Sequence, residues 1–201
     1  MIRLVLASRS CHLLVIAVLA LGALSALLDN HTVVIHLSAA HRQNRLAFPE
    51  LCAVVGVVVA VALLRPRFRE WDRLGTHRAT VVSVAFALAG MLLPLVILVL
   101  GSLRLPDAVP WAWQVSNYLV FAGVAFCLGP LVGPALAGGA TLVLYFGAAV
   151  VNHLVPRGVL PVTGYPGPAT HWAFAALVVL LALVVHGRTR GAGRWSRRLA
   201  R

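Results

Sequence analysis

The sequence predicts an all-α membrane protein with six transmembrane helices and both termini in the cytoplasm. Of its 201 residues, 61% are hydrophobic and only 11% are charged, and the mean hydropathy of +0.93 lies far above that of soluble domains. Apolar runs close to the thickness of a bilayer recur along the chain. Arginines cluster at alternate connections between these runs, as in proteins that cross a membrane repeatedly. We therefore expect residues 1–201 to form a single transmembrane domain.

The first two apolar runs are predicted to be helices. The run 11–28 would measure roughly 27 Å as a helix, close to the hydrocarbon thickness. Its Ala23 to Ala26 stretch also fits a signal-peptidase site, but polytopic proteins usually keep such a segment as an anchor. The second run covers 46–64, and Pro49 and Glu50 suit the first turn of a helix. Its uninterrupted apolar part is short, so both a spanning and a re-entrant segment remain open.

Proline and glycine divide the rest of the chain. The uncharged run 80–100 contains Pro94, which predicts a kink. The next run is too long for one crossing, and its Gly-Pro pairs predict a turn between two helices. A Pro/Gly-rich outer loop at 152–171 precedes the last run. The predicted helices therefore lie at about 11–28, 46–64, 80–100, 115–129, 137–154 and 170–186.

The arginine distribution predicts which side each connection faces. All 17 basic residues are arginines, and short cytoplasmic segments carry an excess of such residues. With the N-terminus inside, 13 arginines lie on the cytoplasmic side and only 4 outside. One span more or fewer would place either the 65–78 cluster or the C-terminal tail outside, so six spans are favoured. Basic residues that are all arginine, beside abundant Ala, Val, Leu and Gly, indicate a bacterial genome rich in G and C and hence the bacterial plasma membrane.

The cytoplasmic connection 65–78, between the second and third helices, is predicted to be amphipathic. Its apolar residues Phe68, Trp71 and Leu74 recur every three residues, which leaves charges of both signs on the remaining surface. One interpretation is a loop that fixes topology and binds anionic lipid headgroups. The other is a docking helix for a cytoplasmic partner, because its two acids contribute nothing to binding an anionic lipid. The docking hypothesis involves Phe68, Arg69, Glu70, Trp71, Asp72, Arg73, Gly75 and Thr76.

Histidine and cysteine spacing does not predict a metal site or a cofactor. A spacing of five residues turns a helix by about 140° net, so the histidines of the outer segment do not share a face, namely His31, His36 and His41. The cysteines are far apart and are expected to be buried small side chains, namely Cys11, Cys52 and Cys127. Haem ligation remains an alternative, because His153 ends the fifth predicted helix and His171 begins the sixth.

The sequence also lacks the motifs of common enzymes. It contains no GxxxxGK[ST], HExxH or GxSxG pattern, so no enzymatic activity is predicted. No charged residue falls in the central part of a predicted span, so we do not expect an ion- or proton-driven mechanism. The net charge of +12 arises from arginines at helix ends, which membrane topology explains without nucleic-acid binding.

The stretch Arg69-Glu70-Trp71-Asp72-Arg73-Leu74-Gly75-Thr76, together with the six-helix layout, resembles the membrane subunit of bacterial ATP-binding-cassette exporters of the second permease type. The resemblance implies a homo- or heterodimer that exports an amphipathic or hydrophobic substrate and is driven by a separate cytoplasmic ATPase. It implies that Glu70, Asp72 and Arg73 face that ATPase and that Gly75-Thr76 leads into the third helix.

Two other classes remain open. One is an accessory or anchoring membrane protein of a larger complex, assembled through faces that include Gly129, Gly133 and Gly138-Gly139. The other is a haem- or quinone-associated redox subunit that uses His153 and His171.

Overall fold

The computed structural model describes residues 10–28, 32–35, 44–65, 77–102, 111–154, 160 and 171–190, and most of these residues are helical. The helices are α1 (Cys11–Leu27), α2 (Phe48–Leu63), α3 (His77–Leu92), α4 (Leu95–Ser102), α5 (Trp111–Val132), α6 (Pro134–Leu154) and α7 (Trp172–Thr189). Two strands, β1 (Thr32–Ile35) and β2 (Asn44–Ala47), lie between α1 and α2.

Four helical segments of the described residues are long and apolar enough to cross a membrane, as expected for a helical membrane protein. Large apolar side chains project from them without a partner in the chain, and Val143 and Leu177 are 72% and 63% exposed. So much exposed apolar surface fits contact with lipid rather than water. The four segments are Thr80–Gly101, Gln114–Val132, Pro134–Asn152 and Trp172–Thr189.

Helix α2 is short because it lies at the centre of the bundle. It has 16 residues, of which nine are buried, and it contacts α1, α4, α5 and α6. A helix surrounded by protein does not have to match the hydrocarbon thickness with its own apolar length. Its first turn contains Pro49 and Glu50, as the sequence predicts.

The predicted kink at Pro94 is a complete break between α3 and α4. Proline has no N–H, so the Gly90 carbonyl loses its normal helical donor. The chain continues through tighter turns, in which Val96 N–H donates to Leu93 O over 3.2 Å and Ile97 N–H donates to Pro94 O over 3.0 Å. The two helices together contain the apolar segment Thr80–Gly101, which is long enough to cross a membrane.

The turn between the fourth and fifth predicted helices is shorter than expected. The sequence predicts helices ending at 129 and resuming at 137, whereas α5 continues to Val132 and α6 begins at Pro134. Gly133 alone makes the turn, with φ of +94°, a conformation that favours glycine. Proline is tolerated at the first position of a helix, which explains why α6 begins so early.

A small hairpin adds two short strands to the predicted helical fold. Strands β1 and β2 pair antiparallel, with Thr32 opposite Ala47 and Ile35 opposite Asn44. The predicted second helix begins at 46, but this residue belongs to β2 and α2 starts at Phe48. The three histidines of the outer segment lie outside the described residues.

Candidate functional site

The predicted docking residues, from Phe68 to Thr76, lie outside the described residues. Their flanks are defined, because α2 ends at Leu63 and α3 begins at His77. The end of α7 lies beside the first turns of α3. A Cβ atom added to Gly187 would be 3.6 Å from Val84 Cγ2 and 3.8 Å from Thr80 Cγ2. The start of α3 and the end of α7 therefore lie at the same end of the bundle.

A second set of polar residues is buried at the opposite end of α2. Glu50 has no exposed surface although it lies in the first turn of this helix. Tyr145 of α6 is also completely buried. Val54, one turn after Glu50, belongs to the same apolar cluster as Phe121 and Tyr145. Glu50 and Tyr145 therefore lie at the junction of α2, α5 and α6.

Helix α5 presents two amides to this junction. Gln114 and Asn117 precede Phe121 by seven and four residues, so the three side chains share one face of the helix. Phe121 packs edge-on against Tyr145, with 5.3 Å between the ring centroids and 80° between the ring planes. Gln114 has no exposed surface and Asn117 is 4% exposed. Both amides are therefore buried on the face of α5 that also carries Phe121.

Several buried polar atoms near this junction have no hydrogen-bond partner among the residues that the structure describes. They are Oε1 and Nε2 of Gln114, Oδ1 of Asn117 and the Tyr145 hydroxyl. A buried polar group without a partner costs about 1–3 kcal/mol, so each such group requires an explanation. We refer to Glu50, Gln114, Asn117 and Tyr145 as the buried polar site.

The sequence prediction missed this site. It considered ionisable residues in the central parts of the spans, whereas Glu50 lies in a first turn and the two amides are neutral. A signal was present, because Gln114, Ser116 and Asn117 interrupt the apolar start of the fourth predicted helix. Only the packing of α2, α5 and α6 brings these residues to one junction.

The outer ends of α5, α6 and α7 carry their own polar contacts. Asn152 Nδ2 donates to Leu160 O over 2.9 Å, and Leu160 N–H donates to Asn152 Oδ1 over 3.2 Å. His171 N–H donates to Ser116 Oγ over 3.4 Å, so α5 and α7 begin at the same end of the bundle. Partial burial lowers the pKa of the His171 imidazole below its usual value. The His153 side chain, the other half of the predicted haem pair, lies outside the described residues.

Two of the four glycines predicted as an assembly face serve the internal packing of this chain. An added Cβ atom would be 2.9 Å from Val61 Cγ1 at Gly129 and 2.6 Å from Val58 Cγ1 at Gly138. Both glycines therefore allow the central helix α2 to approach closely. Among the described residues, Cβ atoms added to Gly133, at the turn, and to Gly139, on α6, would have no neighbour within 4 Å.

Comparison with known proteins identifies no relative of this chain. No family model, curated protein or solved structure matches it. Within the described ranges, no three His, Cys, Asp or Glu residues are grouped so that they could hold a metal ion. The chemistry of the site therefore has to be inferred from its own residues.

Proposed function

We propose that this protein is the transmembrane permease subunit of an ATP-driven exporter in the bacterial plasma membrane. Two such chains, or one chain and a homologue, would enclose the path of an amphipathic or hydrophobic substrate. A separate cytoplasmic ATPase would drive the change between inward- and outward-facing states. The sequence has no nucleotide-binding motif of its own.

The observation that carries the proposal is the common location of the two arginine-rich segments. The contact between Gly187 and the first turns of α3 brings the start of α3 and the end of α7 together. In the sequence, the 65–78 connection leads into α3 and the tail after Arg190 follows α7. Their common location supports a cytoplasmic side rich in arginine, where an ATPase would dock.

Contacts at the other end support helices that run in alternating directions. A Cβ atom added to Gly101 would be 2.7 Å from Pro49 Cβ, so the end of α4 lies beside the start of α2. The His171 to Ser116 hydrogen bond joins the starts of α7 and α5 there. These contacts support successive passes that alternate in direction, which the proposed six-span topology requires.

The broken segment α3–α4 supports a moving part. Its break packs on the central helix, since a Cβ atom added to Gly56 would be 3.2 Å from Pro94 Cβ. Discontinuous helices recur in transporters because the weakened hydrogen bonding allows one half to move relative to the other. This arrangement is compatible with switching that is driven from the cytoplasmic end.

Affinity purification in mild detergent tests the proposal. We expect the tagged protein to bring down an ATPase with a Walker motif, identified by mass spectrometry. Reversing both acids of the docking segment, Glu70→Arg and Asp72→Arg, should abolish this co-purification. Asp107→Arg is the matched control, because it makes the same change in a segment predicted to lie outside the cell.

The outcomes separate the alternatives. Loss of the ATPase in the double variant and retention in the control would support docking through the 65–78 segment. Equal recovery of the ATPase with all variants would reject that docking site. Recovery of a redox complex, with a Soret band in the purified protein, would reject the exporter in favour of the haem alternative.

A further inference from the structure

The break at Pro94 joins two helices that pack on different neighbours. Helix α3 has its most extensive contact with α7, whereas α4 has its most extensive contact with α1 and also packs on α2. Helices α3 and α4 contact each other only slightly. An unbroken helix would hold both halves in one rod, so the break allows each half to belong to a different group of helices.

Helix α4 is held against α1 and α2 by close approach. A Cβ atom added to Gly22 of α1 would be 3.9 Å from the backbone Cα atom of Ile97. At the other end of α4, a Cβ atom added to Gly101 would meet Ser25 of α1 and lie 2.7 Å from Pro49 Cβ of α2. Small residues at such places allow helices to approach closely in a membrane. Helices α1, α2 and α4 therefore form one packed group.

Helix α3 is held instead against α5. The Tyr118 hydroxyl of α5 donates a hydrogen bond to the Met91 carbonyl in the last turn of α3. One residue earlier, a Cβ atom added to Gly90 would be 3.0 Å from Phe126 Cε1 of α5. The end of α3 that leads to the break is therefore fixed to α5, on the side of Pro94 that α4 does not share.

Helix α7 completes the second group. A Cβ atom added to Gly123 of α5 would be 3.0 Å from the backbone carbonyl carbon of Val178, so α5 and α7 approach each other at the level of the backbone. The contact of Gly187 with Val84 joins the end of α7 to α3. Helices α3, α5 and α7 therefore form a second packed group.

The two groups meet mainly through the ends of side chains. The atom nearest to a Cβ added at Gly129 of α5 would be Val61 Cγ1 of α2, and Leu64 Cδ1, just after α2, lies against Gly90 of α3. Side chains can change rotamer, so helices that touch in this way can slide past each other, whereas helices in backbone contact move together. Helix α6 packs on both α2 and α5.

We infer that the Pro94 break is a hinge at which α3, α5 and α7 move as one group relative to α1, α2 and α4. Proline removes a backbone hydrogen bond at the break. The hydrogen bonds from Val96 N–H to Leu93 O and from Ile97 N–H to Pro94 O span only three residues and do not continue the regular helix. The motion changes the distance between α1 and α3 and preserves the distances within each group.

The hinge deepens the proposed function by naming the helices that move together. The motion belongs to the chain itself, so it can be measured without the ATPase. Only the step in which an ATPase drives the motion rests on the proposed function.

Distances between pairs of spin labels test the hinge. The full chain, without its native cysteines, is labelled at cysteines that replace exposed apolar residues, and double electron–electron resonance is measured in lipid nanodiscs. The pair at Leu13 and Val99 lies within the first group, and the pair at Val81 and Leu177 lies within the second. We expect one narrow distance distribution for each of these pairs. The pair at Leu13 and Val81 joins the two groups and should show two populations.

Matched proline variants locate the hinge. Pro94→Ala restores an N–H group that can donate to the Gly90 carbonyl, so the third span becomes more nearly continuous and the two populations of the Leu13–Val81 pair should merge into one. Pro130→Ala is the control, because Pro130 also lies inside a helix, α5, but away from the break. It should leave both populations in place. The distances within the groups show whether each variant keeps its fold.

Three results would overturn the hinge. The first is a distribution for the Leu13–Val81 pair that is single and as narrow as those within the groups. The second is two populations that persist in Pro94→Ala or merge in Pro130→Ala, since the motion would then not arise at Pro94. The third is two populations within either group. Any of these results together with co-purification of the ATPase would reject the hinge and leave the proposed function standing.

Discussion

The Tyr118 hydroxyl donates a hydrogen bond of 2.6 Å to the carbonyl oxygen of Met91. Met91 lies in the last turn of α3, just before the break at Pro94, where helix carbonyls lack a partner within the helix. Tyr118 lies on α5 and is completely buried. A side chain of one helix thus satisfies the broken backbone of another, which stabilises the break.

Replacing Tyr118 by phenylalanine should destabilise the protein by about 1–2 kcal/mol, because the buried Met91 carbonyl loses its donor. The free energy of unfolding in detergent measures the effect. Tyr145→Phe is the control, since the Tyr145 hydroxyl is equally buried but has no hydrogen-bond partner. It should leave stability unchanged or raise it, and an equal loss in both variants would refute the role of the Met91 contact.

Gly56→Ala should also destabilise the fold. The added Cβ atom would be 2.6 Å from Ile97 Cδ1 and 3.2 Å from Pro94 Cβ, so α4 would have to move away from α2. Overpacking of this kind costs about 1–3 kcal/mol. Thermal unfolding provides the measurement.

Gly139→Ala is the matched control for the Gly56 substitution. A Cβ atom at Gly139 has no neighbour within 4 Å, and alanine is favoured over glycine in a helix by about 1 kcal/mol. We expect the Gly139 variant to be at least as stable as the wild type. Similar destabilisation of both variants would show that α2 and α4 do not pack as closely as described.

Stability should fall at acidic pH partly because of His171. Burial holds the pKa of its imidazole below the usual 6.5, so below that value the unfolded chain binds a proton more readily than the folded chain. This loss of stability is absent at higher pH, where the imidazole is neutral in both the folded and the unfolded chain. Unfolding measured between about pH 5 and pH 8 should show a smaller decrease for His171→Gln, which keeps the backbone contact to Ser116. Identical pH profiles would contradict the assigned burial.

Cysteine labelling tests the six-span topology. In a background without the native cysteines, Thr76→Cys and Ser196→Cys should react with an impermeant maleimide only after the cells are opened. Ser38→Cys, in the predicted outer segment, should react in intact cells. Labelling of Thr76→Cys in intact cells would show that the docking segment lies outside the cell. The proposed function would then lose its basis.

The apolar runs predict the helices well because each depends on local composition. Pro94 and Gly133 mark the break and the turn, since both act through the local backbone. The hairpin was not predicted, because its pairing joins two short segments with little local signal. The buried polar site was not predicted either, because it combines residues from α2, α5 and α6 that are far apart in the sequence.

The sequence alone determined the membrane class, the positions of the apolar helices and the arginine asymmetry, because hydrophobicity and charge act on each segment separately. Tertiary structure alone decided that α2 lies at the centre, that Gly129 and Gly138 pack against it, and that the start of α2 meets α5 and α6 near Tyr145. These features depend on which helix faces meet. Nearly all faces of such a chain are hydrophobic, so the hydrophobic pattern cannot select between them, and close packing and the pairing of polar groups make the selection.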